Sequence, residues 1–405
     1  MFSRKSTRRV GAALSAVALA AMVAACSSSG SGGGGKSSDV IKVGVLSSNN
    51  PTFALVSSQT ISAAKAAAAN IKTPGGQKLE VVPIENDGTP ADAVQTVSRA
   101  VREDNVHFIT GFFTSAIAAA LSKQASQLGV VVLDADSKDP SLTAANCSNN
   151  YFRIAMSSVT FTRGAISVGL TKNAKTWDIV AADDATGHGA AEEFARQAKA
   201  AGITIVKQVF TPNGASDYAP YISKLKASPA DALLVPLSGE DGQTFAKQAN
   251  SFGLFPSYKL ILGESLLSAS DLAEGSALKG VQEVLTWNPD SASAEAATFL
   301  KEFPPQNKGV AAWWLPADVY STFEVIGQAV NTAGSTDSDK IIKALAGSTH
   351  NTLSGPIQIR AADHQSLRPL VLVQVSIVNG KPELKTVRQI PVGDVSPAAD
   401  SACKL

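Results

Sequence analysis

The chain has 405 residues, a net charge of +1, 44% hydrophobic and 6% aromatic residues. Near-neutral charge with no basic run leaves no electrostatic footprint for nucleic acid. Past the N-terminus no apolar segment approaches the roughly 20 residues that a membrane helix needs. The four histidines, His107, His188, His350 and His364, have no ligand-like spacing with the three cysteines, so neither a metal nor a cofactor is expected.

The N-terminus begins with Arg4, Lys5, Arg8 and Arg9, then an apolar run from Val10 to Ala21, then Val23-Ala24-Ala25-Cys26 and a Ser/Gly string over 27–35. A cationic start, a short apolar run and small residues before a cut point are the parts of a secretory signal. Val-Ala-Ala-Cys resembles the lipobox of bacterial lipoproteins. It implies a signal peptide over 1–25, lipidation at Cys26 and a flexible tether over 26–38, with the body on the outer face of the cell membrane. Arg8-Arg9 hints at twin-arginine export without completing that signal. With Cys26 taken by lipid, an even pair remains in an oxidising compartment, and a Cys147–Cys403 disulfide is expected.

The body, long enough for two domains, alternates apolar runs with helical stretches. Strands are expected at 41–46, 79–84, 107–110 and 130–133, with helices at 53–70, 91–103 and 115–128 between them. The same beat resumes after Tyr151, with helices at 158–172 and 189–201 and strands at 177–181, 203–210, 232–236 and 259–262. Runs of Val, Ile and Leu without alternation suit strands buried on both faces. Their alternation with helices implies parallel sheets in two α/β lobes. The last part is less regular: helices at 317–333 and 337–346, then strands at 370–378 and 384–390 around an Asn379-Gly380 turn. Periodicity does not place these tail strands.

Ligands of open parallel sheets bind beyond the carboxyl ends of the strands. Those positions hold 111–115, 134–138, 183–186, 238–240 and 263–265, which are small, hydroxylated or acidic residues suited to a small polar molecule. Thr114 and Ser115 open a helix, where free amides suit an anion such as a carboxylate; plain N-capping is the alternative. Glu264 suits an ammonium group or is a solvated loop acid. Trp313 and Trp314 offer an aromatic wall or simple packing. Arg153 reads as a lobe-crossing ion pair. Gly187-His188-Gly189 imitates a dinucleotide fingerprint, but Asp183 and Asp184 would face the pyrophosphate and the glycines do not follow the strand directly. No catalytic constellation stands out.

The ordered set Glu85-Asn86-Asp87-Gly88-Thr89-Pro90-Ala91-Asp92-Ala93, 106–115, 129–143 with Asp139-Pro140-Ser141-Leu142-Thr143, Tyr151-Phe152-Arg153, 183–189, Gly253-Leu254 and Gly280-Val281 resembles the type I periplasmic binding proteins of the Leu/Ile/Val-binding family. The resemblance implies two Rossmann-like lobes joined by three hinge crossovers. One lobe would be 39–156 with 285–357, the other 157–284 with 358–405. It implies a monomeric, non-enzymatic substrate-binding protein of an ABC importer, with an amino-acid-like or amide-like ligand and a membrane permease as partners. A sensor of the same fold, or an exported enzyme, are the alternatives. The family's carboxylate-binding hydroxyl matches Thr114 or Ser115, and its second hydroxyl falls at Ser137 or on Lys138. Its usual Tyr is Thr186 here, its ammonium-binding acid matches Glu264, and an aromatic matches Trp313 or Trp314. Ser238 and Glu240 complete the candidate ligand-binding residues.

Overall fold

A computed structural model describes residues 40–73, 75–111, 113–267, 275–290, 293–306 and 312–405. Cys26 and the whole signal and tether lie outside the described residues. The first lobe runs β1 (Val40–Ser48), α1 (Ala54–Asn70), β2 (Lys78–Asn86), α2 (Pro90–Asp104), β3 (Phe108–Gly111), α3 (Ser115–Leu128), β4 (Val131–Asp134) and β5 (Tyr151–Arg153). The strands form a parallel sheet in the order β2-β1-β3-β4-β5. Local chemistry sets the boundaries. Thr89 caps α2 by accepting from the Asp92 N–H at 3.3 Å, with Pro90 in the first turn. Gly129 ends α3 in the left-handed conformation.

The second lobe repeats the plan with α4 (Ser158–Thr171), β6 (Thr176–Ala182), α5 (Ala185–Ala200), β7 (Thr204–Thr211), α6 (Ala219–Lys226), β8 (Ala232–Val235), α7 (Gly239–Ser251), β9 (Leu260–Gly263) and β10 (Gln282–Leu285). The chain continues through α8 (Ala294–Gln306), α9 (Trp314–Ala333), α10 (Ser338–Leu345), β11 (Thr349–Thr352), β12 (Gly355–Ile359), β13 (Ser366–Leu367), β14 (Leu370–Val378), β15 (Lys381–Ile390) and α11 (Val392–Val395). The second sheet has the order β15-β14-β10-β9-β8-β6-β7. Its β7-β6-β8-β9-β10 core is parallel and matches the first lobe's order. Strands β14 and β15 add antiparallel at one edge, which places the tail hairpin that periodicity had left open. Strands β11 to β13 form a small antiparallel sheet.

Helix α5 starts at Ala185 rather than at Gly189, because Asp184 accepts from the Gly187 N–H at 2.8 Å and caps it. Gly187 is there for close packing: a Cβ on it would meet the Ala182 carbonyl oxygen at 2.1 Å. Among the described residues Arg153 forms no lobe-crossing ion pair. Its fully buried guanidinium donates to the Asp139 carbonyl at 2.6 Å and to Thr143 Oγ1 at 2.7 Å.

Helix α9 is buried almost all round, so its polar residues must find internal partners. Asp318 accepts from Arg368 Nη1 at 2.7 Å and Thr286 Oγ1 at 2.8 Å. Arg368 also donates to the Thr286 carbonyl at 3.1 Å. Thr286 follows β10 and Arg368 precedes β14, so one helix residue ties two of the three crossings together. The remaining crossing is tied at Ile154, whose carbonyl accepts from Ser366 Oγ at 2.9 Å. The small sheet carries the chain to Leu367, so the last crossing falls beyond residues 357/358. In the structure Cys147 and Cys403 are joined, with Cα atoms 5.5 Å apart.

Asp318→Asn leaves the Arg368 charge buried without a counter-ion. It should cost on the order of 3–5 kcal/mol in urea unfolding, as broken buried pairs do, and a change within experimental error would refute the role. Glu324 of α9 accepts from the Leu353 N–H at 2.7 Å, and burial pushes its carboxyl up to about 8. The folded state therefore holds this proton more tightly than the unfolded state, whose carboxyl titrates near 4.5. The resulting stabilisation is whole below about 4.5 and is lost as pH rises towards about 8. Glu324→Gln should accordingly raise Tm relative to the unmodified chain by a margin that widens by a few degrees between pH 5 and pH 8. A constant margin across that range would contradict this.

Candidate functional site

The carboxyl ends of both parallel sheets border one cleft of about 540 Å³, lined by Ser115, Lys138 and Asp139 from the first lobe and Thr186, Ser238, Glu264 and Ser265 from the second, among others. A larger depression of about 740 Å³ lies between α4, α5 and the C-terminal tail, and none of the parallel strands contributes to its lining. The strand-end cleft is the better candidate, because both strand orders reverse there and chain ends diverge to leave room for a ligand.

In the first lobe, Gly111 makes the switch point possible. It has φ 119°, and a Cβ there would lie 2.5 Å from the Leu46 carbonyl oxygen. The chain then turns into α3. Thr114 is its N-cap, accepting from the Ile117 N–H at 3.3 Å, while Ser115 faces the cleft. After β4, buried Asp134 accepts from the Asp136 and Ser137 N–H groups, both at 2.9 Å, and from Tyr151 Oη at 2.5 Å. This turn presents Lys138. Ser137 is 2% exposed, and its Oγ has no hydrogen-bond partner among the described residues.

Lys138 reaches across to the second lobe. Its Nζ donates to Ser265 Oγ at 2.7 Å and sits 5.5 Å from the centre of the Trp314 ring. Trp314 is buried and packs edge-on to Trp313, with ring centres 5.3 Å apart. Trp313 donates from Nε1 to Gln59 Oε1 at 2.8 Å.

The loop after β9 is held from below by Glu283 of β10. This buried carboxylate accepts from the N–H groups of Ser265 (2.9 Å), Leu266 (3.2 Å) and Leu267 (2.9 Å). A Cβ on Gly263 would lie 3.0 Å from Glu283 Oε2, so the glycine leaves room for that approach. Ser265 is fixed in the left-handed region at φ 61°. Burial pushes the Asp136 carboxyl up to about 7, with Asp134 adding to the rise and Lys138 opposing it. Burial likewise raises Glu283 to about 7 and raises Glu264, and in both cases Lys138 opposes the shift.

Seven of the expected residues thus border or adjoin this cleft: Thr114, Ser115, Ser137, Lys138, Thr186, Ser238 and Glu264. Trp314 joins them through Lys138, and Trp313 adjoins Trp314. Glu240 does not line it. It is exposed on the first turn of α7, beside a neighbouring depression with Gly214, Asp241 and Thr244. The sequence reading missed Glu283 and Gln59, and it took in Asp136 and Ser265 only as members of the strand-end runs 134–138 and 263–265, without a role. Asp136 and Ser265 stand at strand ends and share the signal that found their neighbours. Glu283 and Gln59 act from within a strand and a helix, where no such signal exists. Among the described residues no cluster of three or more His, Cys, Asp or Glu has the arrangement to hold a metal.

The profile of the periplasmic binding protein family matches residues 40–381. Leu/Ile/Val-binding protein homolog 3 of Brucella melitensis biotype 1 is 26% identical over 318 residues, covering 75% of this chain and 83% of that protein. An ABC transporter substrate-binding protein from Sphaerobacter thermophilus has a TM-score of 0.80 at 22% identity, over 88% of this chain and 99% of its own. A solute-binding protein of an ABC transporter from R. palustris, in complex with 4-hydroxybenzoate, has a TM-score of 0.76 at 22% identity, over 87% and 97% of the two chains. The shared fold is that of type I periplasmic binding proteins. The profile match runs through the first sheet, all of the second but its edge strand β15, and all three crossings, and on that basis the chain belongs to the periplasmic binding protein family.

Proposed function

We propose that this chain is the lipid-anchored, extracytoplasmic solute-binding component of an ABC importer. Its two lobes close on a small amino-acid-like or amide-like metabolite and deliver it to a membrane permease. The cleft carries the reading: a hydroxyl-bearing helix start at Thr114 and Ser115 on one lobe, and the half-buried Glu264 carboxylate on the other. The first suits a carboxylate and the second an ammonium group, the two groups of a small zwitterion. The kinship to a Leu/Ile/Val-binding protein homolog supports an amino acid, and Cys26 supplies the anchor that keeps the binder beside its permease. Closure follows from tighter binding to the closed form, as in any population shift.

A thermal-shift screen over amino acids, amides, urea and aromatic acids should yield a ligand that raises Tm. Glu264→Gln should then weaken amino acids by about tenfold or more, the loss of one charge-assisted hydrogen bond, and leave neutral amides nearly unaffected. Equal losses for both would refute the role of Glu264. Deleting the gene should abolish uptake of the identified ligand; intact uptake would favour a sensor. We also propose that the Cys147–Cys403 bridge forms in the exported protein. Non-reducing peptide mapping should recover the two cysteines in one linked species, and two free thiols would disprove it.

A further inference from the structure

Lys138 has contacts that resemble those of a bound ligand rather than those of a wall. It starts from the first lobe, yet its ammonium donates to Ser265 on the second at 2.7 Å. It lies over the Trp314 ring at 5.5 Å, the arrangement in which an aromatic face attracts a cation. The charges of Asp136, Glu264 and Glu283 all interact with it. The acceptor is itself held in an unfavourable backbone conformation, φ 61° at a serine, by the Glu283 carboxylate beneath it. An aromatic face, a hydroxyl acceptor and surrounding carboxylates are the groups that would recognise an ammonium ion. Beside Lys138, the buried Ser137 Oγ has no hydrogen-bond partner among the described residues.

We infer that Lys138 occupies the seat of the ligand's ammonium group, latching the two lobes together until an amine-bearing solute displaces it. This rests on the solute-binding reading above and deepens it. The seat selects solutes with a primary ammonium group, because a neutral or purely anionic molecule gains nothing from the groups that Lys138 would have to leave. Lys138 then lowers the apparent affinity for those same solutes by the fraction of molecules in which it fills the seat.

The test uses the full folded chain, unmodified and as Lys138→Met, Lys138→Arg and Ser265→Gly. Met keeps the aliphatic stem without the charge. Gly removes the acceptor and relieves the left-handed backbone. Ligand-free small-angle X-ray scattering reads lobe opening, and thermal-shift titration with n-butylammonium, n-butanol and butyrate reads the seat. Lys138→Met and Ser265→Gly should both increase the radius of gyration. Lys138→Met should bind n-butylammonium about tenfold more tightly than the unmodified chain, with no gain for n-butanol, and Lys138→Arg should stay closed. The inference is overturned if neither variant opens, or if no variant responds to the amine. It is equally overturned if Lys138→Met loses butyrate binding that Lys138→Arg restores, since Lys138 would then be an anion contact. In each case the solute-binding reading survives if any solute in the wider screen raises the Tm of the unmodified chain, so the two failures are separable.

Discussion

The hinge depends on one buried ion pair. Asp318 and Arg368 are 0% and 2% exposed at their side chains and 2.7 Å apart. Burying two charges is costly, and their attraction compensates only when the remaining hydrogen-bonding groups are also satisfied. Thr286 does much of that, donating its hydroxyl to Asp318 and accepting at its carbonyl from Arg368. The result fastens α9 to two chain crossings at one point. The lobes are thereby joined at a fixed, buried point beside which the cleft lies. The same carboxylate adds to the upward shift at Asp136, so hinge and cleft share one electrostatic environment.

The cleft follows from how each lobe ends its strands. Both sheets reverse strand order next to their first strand, and both put a glycine or a capped turn where the chain must leave in a tight space. The second lobe adds Glu283, an internal anion that takes three backbone N–H groups of the loop after β9. Those amides would otherwise be open to an anionic solute. With the protein's own carboxylate holding them, the neighbouring Glu264 faces the cleft as an acid, and that face of the site has negative character.

What was legible in the sequence depended on how far each signal was local. Strand β8 is an unbroken apolar run, and β1, β4 and β6 are mostly apolar around Lys42, Asp134 and Asp178, because both faces are covered, so all four read directly. Strand β10 did not: Gln282 and Glu283 occupy half of it, one bonded to Gln374 and the other to a loop, and both polar partners lie far away in the chain. Strands β5 and β13 are too short for any period to register. The tail hairpin was visible as strands, but its edge position depends on a crossing fixed by Arg368. The rule that ligands sit beyond strand ends found Ser115, Lys138, Thr186, Ser238 and Glu264. It also brought in Glu240, because it cannot tell which face of a helix's first turn points inward. The bond between Lys138 and Ser265 joins residues 127 apart in sequence, on different lobes, and no spacing announces it.

The path of the last residues changes what kind of object the two lobes make. After β15 the chain packs α11 on α4, where Ser167 Oγ donates to Asp394 at 3.2 Å. It then passes Arg360, which donates to the Pro397 carbonyl at 2.5 Å, and ends beside Cys147 near the first sheet. The bridge joins residues 256 apart. Once formed in the exported protein, the bridge closes a covalent circuit over 147–403 that includes every crossing between the lobes, so that stretch becomes a ring laced three times across its middle rather than an open thread. The C-terminus thereby returns to the lobe from which the chain set out.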